Sequence, residues 1–376
     1  MHISKMRGSW IFFCAAVAAT GTYTNPILSG DFPDPGAIYV NGTFFVATTG
    51  DGFPIHTSAN LRHWSSAGSV FARDNTPTWA SGDFWAPEIH AMPIGGFVVY
   101  FTARDHDSRL CIGAATSASP AGPFQDIGQP LARDPEGKGM YLDSHYFFDT
   151  TGSGVGYLIW KRGTVTPPAE THTLLYLQQL DAAGTSLVGP RSVILKNDLS
   201  SWEKGVVEAP WVVRPAGSSY FYLFYSAAHC CDGSGSYAVG VARAASITGP
   251  YEKHALNPIL HSNSISSNFS NSGRGSSSAD RAAAKAGGFD GTGHCSVLPD
   301  PVNPHTWIIF YHAYVRPKTG GARSLLMDVL TFDTAGAADT SGGAGVGWPR
   351  LSTNTSSPSV GPRPLPPTAD RNGTST

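Results

Sequence analysis

Three acidic residues, Asp34, Asp143 and Glu208, each stand at the entrance of a short apolar segment. Asp34 lies in Gly30-Asp31-Phe32-Pro33-Asp34-Pro35-Gly36-Ala37-Ile38-Tyr39-Val40, held between two prolines. Each proline fixes its own φ and pushes the residue before it into extended geometry, so Asp34 enters the strand on a stiff backbone. Glu208 is set among Val206, Val207, Ala209, Pro210 and Trp211. An acid with such neighbours is expected to have a raised pKa, which suits a proton donor. Carboxylates that share a pocket split into protonated and ionised partners. That pairing suits glycosidic hydrolysis, in which one acid protonates the leaving oxygen and one carboxylate activates water.

Residues so far apart in sequence need a fold that returns them to one place. A coarse repeat supplies it. Each copy opens with a polar or aromatic marker and a short apolar strand. An aromatic-rich strand, a strand rich in Ala, Val and Leu, and a Gly-Pro turn follow. The markers fall at Asp34, Trp85, Asp143, Glu208 and His294. Copies two and four align on Ala86-Pro87 with Ala209-Pro210, and on Gly122-Pro123-Phe124 with Gly249-Pro250-Tyr251. Five repeats of several strands each predict an all-β, five-bladed β-propeller over residues 21–351. The first strand of each blade then lines the axis, and residues at one phase of the repeat converge there. The stretch 262–288, rich in Ser, Asn and Ala, reads as a disordered insertion loop, and 334–346 as a second loop. The Pro/Ser/Thr-rich stretch 352–376 reads as a flexible tail.

The chain has 376 residues, a net charge of −2, 14% charged residues, 43 Gly and 28 Pro. This composition suits short strands joined by turns and offers no basic face for nucleic acid. Residues 1–20 read as a secretory signal: Lys5 and Arg7 precede an apolar run from Trp10 to Ala19, too short to span a membrane. Secretion is therefore expected, with no membrane partner. Sequons at Asn41, Asn268, Asn354 and Asn372 are compatible with that. Beyond Cys14 in the signal, Cys111, Cys230, Cys231 and Cys295 allow up to two disulfides. The adjacent Cys230 and Cys231 are expected not to bond each other. No pair has the Cys-x-x-Cys spacing of a metal site.

Together, Phe32-Pro33-Asp34-Pro35-Gly36, Phe84-Trp85-Ala86-Pro87-Glu88-Ile89, Leu142-Asp143-Ser144, Val207-Glu208-Ala209-Pro210-Trp211 and Gly293-His294-Cys295-Ser296 resemble glycoside hydrolase family 43. The resemblance covers roughly residues 24–350. It implies five-bladed propeller enzymes acting on arabinose- and xylose-containing polysaccharides with inversion at the sugar carbon. It implies Asp34 as general base, Glu208 as general acid and Asp143 as the group that tunes and positions Glu208. His294 would take the axial position that in many members helps hold a calcium or a water network, although Cys295 stands where the family often has Gly. No cofactor is expected for the chemistry itself.

Trp85 offers an aromatic face for a sugar ring. His145, Trp160 and Arg323 are further candidates for substrate contact. The leading expectation is a secreted, monomeric enzyme cleaving α-L-arabinofuranosyl linkages of plant cell-wall arabinan or arabinoxylan. The short stretch after the fifth blade, without a further β-sandwich, favours this over β-xylosidase action. A β-xylosidase, an endo-arabinanase or a non-catalytic carbohydrate-binding propeller are the alternatives.

Overall fold

The computed structural model describes residues 21–368, apart from 73–74, 151, 153, 165–171, 232–233, 264–286, 319, 333–346 and 354. The expected signal, nearly all of the expected insertion, the second loop and three of the four sequons lie outside the described residues. The fourth, Asn41, is exposed in a hairpin turn.

Strand β1 (Thr22–Tyr23) precedes five antiparallel four-stranded sheets. Blade 1 is β2 (Gly36–Val40), β3 (Thr43–Ala47), β4 (Pro54–Ser58) and β5 (Ser65–Ser69). Blade 2 is β6 (Ala80–Ala91), β7 (Phe97–Asp105), β8 (Leu110–Ser117) and β9 (Gln125–Asp126). Blade 3 is β10 (Gly139–Phe148), β11 (Gly156–Thr164), β12 (Leu174–Leu180) and β13 (Leu187–Lys196). Blade 4 is β14 (Val207–Val213), β15 (Phe221–Ala227), β16 (Ala238–Ala244) and β17 (Glu252–Lys253). Blade 5 is β18 (Phe289–Pro299), β19 (Thr306–Val315), β20 (Arg323–Phe332) and β21 (Pro349–Leu351). The expected five-bladed propeller is the observed fold.

The core is divided among the five gaps between blades, one apolar cluster in each. Strand periodicity explains how one sequence feeds two gaps, since successive side chains point to opposite faces. Along β15, Phe221, Leu223, Tyr225 and Ala227 enter the gap toward blade 3, while Tyr222 and Phe224 enter the gap toward blade 5. Along β19, Trp307, Ile309, Tyr311 and Ala313 face blade 4, while Ile308 and Phe310 face blade 1. Both faces are buried, so these strands read as continuous apolar runs instead of alternating ones.

The ring closes between blades 5 and 1, and there the structure corrects an expectation. The segment read as a flexible tail is packed as far as Thr368. Strand β22 (Arg363–Pro364) pairs with β1, and Leu365 is buried beside Tyr23 and Phe44. Asp328 anchors the closure by accepting hydrogen bonds from Tyr23, Tyr311 (2.5 Å) and Ser359. Short polar side chains there satisfy a buried carboxylate, so Ser and Thr content signals packing and not looseness. The expected insertion also begins too early. Ser262 and Asn263 are buried, and their side-chain oxygens accept the backbone N–H groups of Gly291 and Phe289 at 2.7 Å each.

Candidate active site

Each innermost strand, or the residue leading into it, carries a non-glycine residue in the left-handed region at a matching place: Asp34 (φ 55°), Ala86 (48°), Asp143 (53°), Ala209 (48°) and His294 (51°); β6 has a second one at Asp83 (54°). Such a conformation costs of order 1–2 kcal/mol for an L-residue. It recurs because a bulge there breaks the two-residue alternation and turns side chains toward the axis. The register shifts at Leu142/His145, Glu208/Trp211 and Gly293/Ser296 mark three of these bulges. The markers read from sequence prove to be out of phase by one. Asp34, Asp143 and His294 occupy the left-handed position itself, whereas Trp85 and Glu208 precede it.

A second repeat supports the first. Opposite the residue before each bulge stands one side chain of the second strand or its end: Thr49, Thr102, Lys161, Ser226 and His312. Four of them accept the bulge N–H of the next blade around. Ala86 N donates to Thr49 Oγ1 (2.8 Å), Asp143 N to Thr102 Oγ1 (3.0 Å), His294 N to Ser226 Oγ (2.8 Å) and Asp34 N to His312 Nδ1 (3.1 Å). Blade 3 breaks the pattern. Lys161 has no acceptor to offer; it donates instead to Glu208 Oε2 at 2.5 Å, and Asp143 Oδ2 accepts Ala209 N at 3.3 Å. A local departure from a repeated rule is where function is expected.

The three acids converge. Asp34 is buried. Its Oδ1 lies 3.1 Å from Arg323 Nη1, 3.3 Å from His294 Nδ1 and 3.2 Å from His312 Nδ1, and its Oδ2 accepts from Thr49 Oγ1 at 2.7 Å. Burial pushes its pKa up, but the charge of Arg323, then that of His294 and the close contact with the His312 ring, outweigh this and hold it well below the usual carboxylate range. His312 is itself kept neutral, pushed by burial down to about 4. Its Nδ1 lies 3.1 Å from the Asp34 amide N and 3.2 Å from Asp34 Oδ1.

Asp143 and Glu208 form a coupled pair. Burial, joined by the Glu208 charge, raises Asp143 to about 6. Burial would raise Glu208 too, but Lys161 and the Tyr237 hydroxyl hold it below its ordinary value. The expectation that apolar neighbours raise Glu208 is thus corrected. The sequence around it is apolar, yet the side chain reaches a lysine from the next blade. Below about pH 6, a proton on this pair is therefore favoured on Asp143 over Glu208. Gly293 makes room for this arrangement, since a Cβ there would lie 2.1 Å from the Tyr237 ring. Gly36 does the same for blade packing, with a hypothetical Cβ 2.1 Å from Pro87 O.

The other candidates divide. Arg323 reaches Asp34. Trp85 is half-buried on the inner strand, beside the Ala86 amide that Thr49 links to Asp34. His145 and Trp160 are corrections. The bulge after Asp143 sends His145 inward, where it is buried, stacks 4.5 Å from Trp211 and bonds Glu88 Oε2 through Nδ1 at 2.9 Å. Trp160 is buried between Tyr141 and Tyr176 in the gap between blades 2 and 3. It faces away from the axis because Lys161, its neighbour, faces toward it. Sequence reasoning missed Lys161, Tyr237, Thr49 and His312. The signal was present in Phe101-Thr102-Ala103, Trp160-Lys161-Arg162, Tyr225-Ser226-Ala227 and Tyr311-His312-Ala313, one polar residue at one phase of four similar strands.

A calcium ion needs six to eight oxygen ligands. His294 offers nitrogen, not oxygen, and its Nδ1 faces Asp34 Oδ1 at 3.3 Å. Among the described residues, the group of metal-type donors that converges is Glu88, His90 and His145. Its donors are already paired: one oxygen of Glu88 contacts His90 Nε2 and His145 Nδ1 at 2.9 Å each.

A propeller that gathers one strongly ionised carboxylate and one proton-sharing carboxylate pair at its axis has the equipment of an acid/base hydrolase. The chain belongs to a family of that class: the sequence profile of Glycosyl hydrolases family 43 matches residues 23–337. It is 24% identical over 313 residues to the extracellular endo-α-(1→5)-L-arabinanase 2 of Bacillus subtilis, covering 74% of this chain and 64% of that protein. It is 27% identical over 245 residues to the extracellular exo-α-(1→5)-L-arabinofuranosidase ArbA of Cellvibrio japonicus, covering 59% and 66%. A xylan 1,3-β-xylosidase from a Vibrio species is 27% identical over 270 residues, covering 65% and 44%. The chain thus spans less than two thirds, or about two thirds, of the length of these relatives. Among solved structures, a thermostable family-43 glycoside hydrolase superposes with a TM-score of 0.72 at 26% identity, covering 91% of this chain and 99% of the other.

Proposed function

We propose that the protein is a secreted glycosidase that hydrolyses α-L-arabinofuranosyl linkages of plant cell-wall arabinan or arabinoxylan with inversion. The observation that carries the reading is the convergence of three acids in different settings: Asp34 against Arg323, His294 and His312, Glu208 against Lys161, and Asp143 against the Ala209 amide. Asp34, ionised against Arg323, acts as general base and takes a proton from the attacking water. Glu208 acts as general acid, drawing on the proton that the pair holds on Asp143; Asp143 orients the Glu208 segment through Ala209 N. The half-buried Trp85 offers a face to the sugar ring. Inverting action needs an ionised carboxylate and a protonated acid present together; the lowered pKa of Asp34 and the raised pKa of Asp143 support this reading.

The two relatives named for arabinan chemistry support the arabinosyl assignment, and the relative named a xylosidase makes xylosyl action the second reading. The apolar run near the N-terminus, the exposed sequon at Asn41 and a disulfide described below support secretion. The test is product analysis on linear arabinan and xylo-oligosaccharides, with Asp34→Asn as control. Arabinose or arabino-oligosaccharides, absent with the variant, support the reading. Xylose alone moves the substrate to xylan. No product from either polymer, with sugar binding retained, overturns the enzymatic reading and leaves a carbohydrate-binding propeller.

A further inference from the structure

The loop after β15 contains a disulfide between neighbours, Cys230–Cys231, which corrects the expectation that these two do not bond. Its backbone takes positive φ at Ala228 (68°) and Cys231 (67°). Cys231 is exposed and Cys230 half-buried. The loop is tied down on both sides. Ala228 N donates to Glu203 O at 3.1 Å, and His229 N to Ser236 Oγ at 3.3 Å. Two residues before Ala228, Ser226 caps the His294 amide.

The position of the disulfide gives it meaning. Arg323 Nη1 lies 3.1 Å from Asp34 Oδ1 and 3.7 Å from Cys231 Sγ. One guanidinium nitrogen therefore touches the carboxylate on one side and the disulfide on the other. A disulfide sulfur is uncharged and a weak acceptor, so it fills space beside Arg323 without competing for it. Two free thiols would behave differently. They move independently, and a cysteine next to an arginine is favoured as thiolate. That thiolate is a rival anion for the nitrogen that serves Asp34. Among the described residues, the other two cysteines offer no exchange partner. Cys111 and Cys295 are both buried, and burial pushes the Cys111 thiol up to about 12.

We propose that the Cys230–Cys231 disulfide is a positioning element of the active site, a neutral wall that keeps Arg323 seated on Asp34. This rests on the reading of Asp34 as catalytic base. It assigns to two residues outside the acid trio a part in the reaction, acting through Arg323.

The experiment compares kcat and KM on an aryl α-L-arabinofuranoside for untreated enzyme, enzyme reduced with a water-soluble phosphine, and the double variant C230A/C231A. The phosphine supplies two electrons and becomes its oxide with oxygen from water. The S–S bond breaks, and the two sulfurs take up two protons. Each measurement is repeated in an Arg323→Ala background, which separates action through Arg323 from a general loosening of the loop. The expected result is a fall of about tenfold in kcat/KM on reduction, carried by kcat and reversed by oxidised glutathione. The double variant falls in the same direction and does not respond to phosphine. In the Arg323→Ala background, reduction changes kcat/KM less than twofold. An unchanged kcat in reduced wild type overturns the proposal. So does an equal loss in both backgrounds, which marks a structural role alone. Absence of activity in untreated wild type instead fails the glycosidase reading itself, and this proposal falls with it.

Discussion

Replacing Lys161 by Met removes the cation that holds Glu208 ionised while keeping the length of the side chain. Lys161 Nζ donates to Glu208 Oε2 at 2.5 Å, with both side chains nearly buried. A hydrogen bond to a charged group is worth about 1.5–3 kcal/mol, and one pKa unit is about 1.4 kcal/mol. Losing Lys161 should therefore raise the pKa of Glu208. It also removes a positive charge that lowers Asp143. Both members of the pair then hold their shared proton to higher pH. The apparent basic limb of kcat/KM, set in the wild type near the value of about 6 for Asp143, moves up. The variant is slower at its optimum because Glu208 is less well placed, but its activity relative to wild type rises between pH 6 and 8. Stability follows the same sign. A carboxyl whose folded pKa is raised above its unfolded value holds a proton that the unfolded chain releases. The variant therefore loses stability as pH rises through that window, up to the roughly 3–5 kcal/mol of a broken buried pair. The assays are kcat/KM against pH on an aryl glycoside, and urea midpoints at pH 5 and 8. A basic limb that stays in place or moves down refutes the reasoning.

Three further outcomes are expected. Thr102→Val leaves the buried Asp143 amide without its acceptor and should cost about 1–3 kcal/mol in urea denaturation. Trp160→Phe should leave kcat and KM within twofold of wild type. Its melting temperature should fall, with a cost below the roughly 3–5 kcal/mol of complete truncation to Ala, because the ring is core and not a sugar contact. Overall stability should decline as pH drops from about 6.5 toward 4. His145 and His312 are held neutral, down to about 3 and about 4, so the unfolded chain binds two protons that the folded one does not. Asp143, raised to about 6, opposes this with one proton bound in the folded state. These three groups together contribute a slope of about 1.4 kcal/mol per pH unit, read by comparing urea titrations of wild type and a His145→Asn, His312→Asn variant at several pH values.

The blades were legible because hairpin turns and apolar runs are local signals, and the repeat multiplied them five times. The three acids were legible because each stands within one residue of the same place in that repeat. What escaped had non-local causes. The Lys161–Glu208 pair joins adjacent blades, and nothing near Glu208 announces a cation. The apolar residues beside it therefore suggested the wrong direction of pKa shift. His145 and Trp160 were misplaced because a bulge after Asp143 resets which side chains face the axis, and alternation counted through it fails. The stretch after Leu351 read as loose because its Ser, Thr and Pro content resembles a linker. Its contribution is polar, satisfying Asp328 and extending β1, and a search for apolar periodicity does not detect that.

The central claim is that Asp34 activates water while Glu208 protonates the leaving group, so that hydrolysis inverts. Proton NMR of the first turnover products from an aryl α-L-arabinofuranoside tests this most directly, with Asp34→Asn as control. The account predicts that β-L-arabinofuranose appears first and then equilibrates, and that the variant loses about 10²–10⁴ in kcat. Initial release of the α anomer, or a variant as active as wild type, would contradict it.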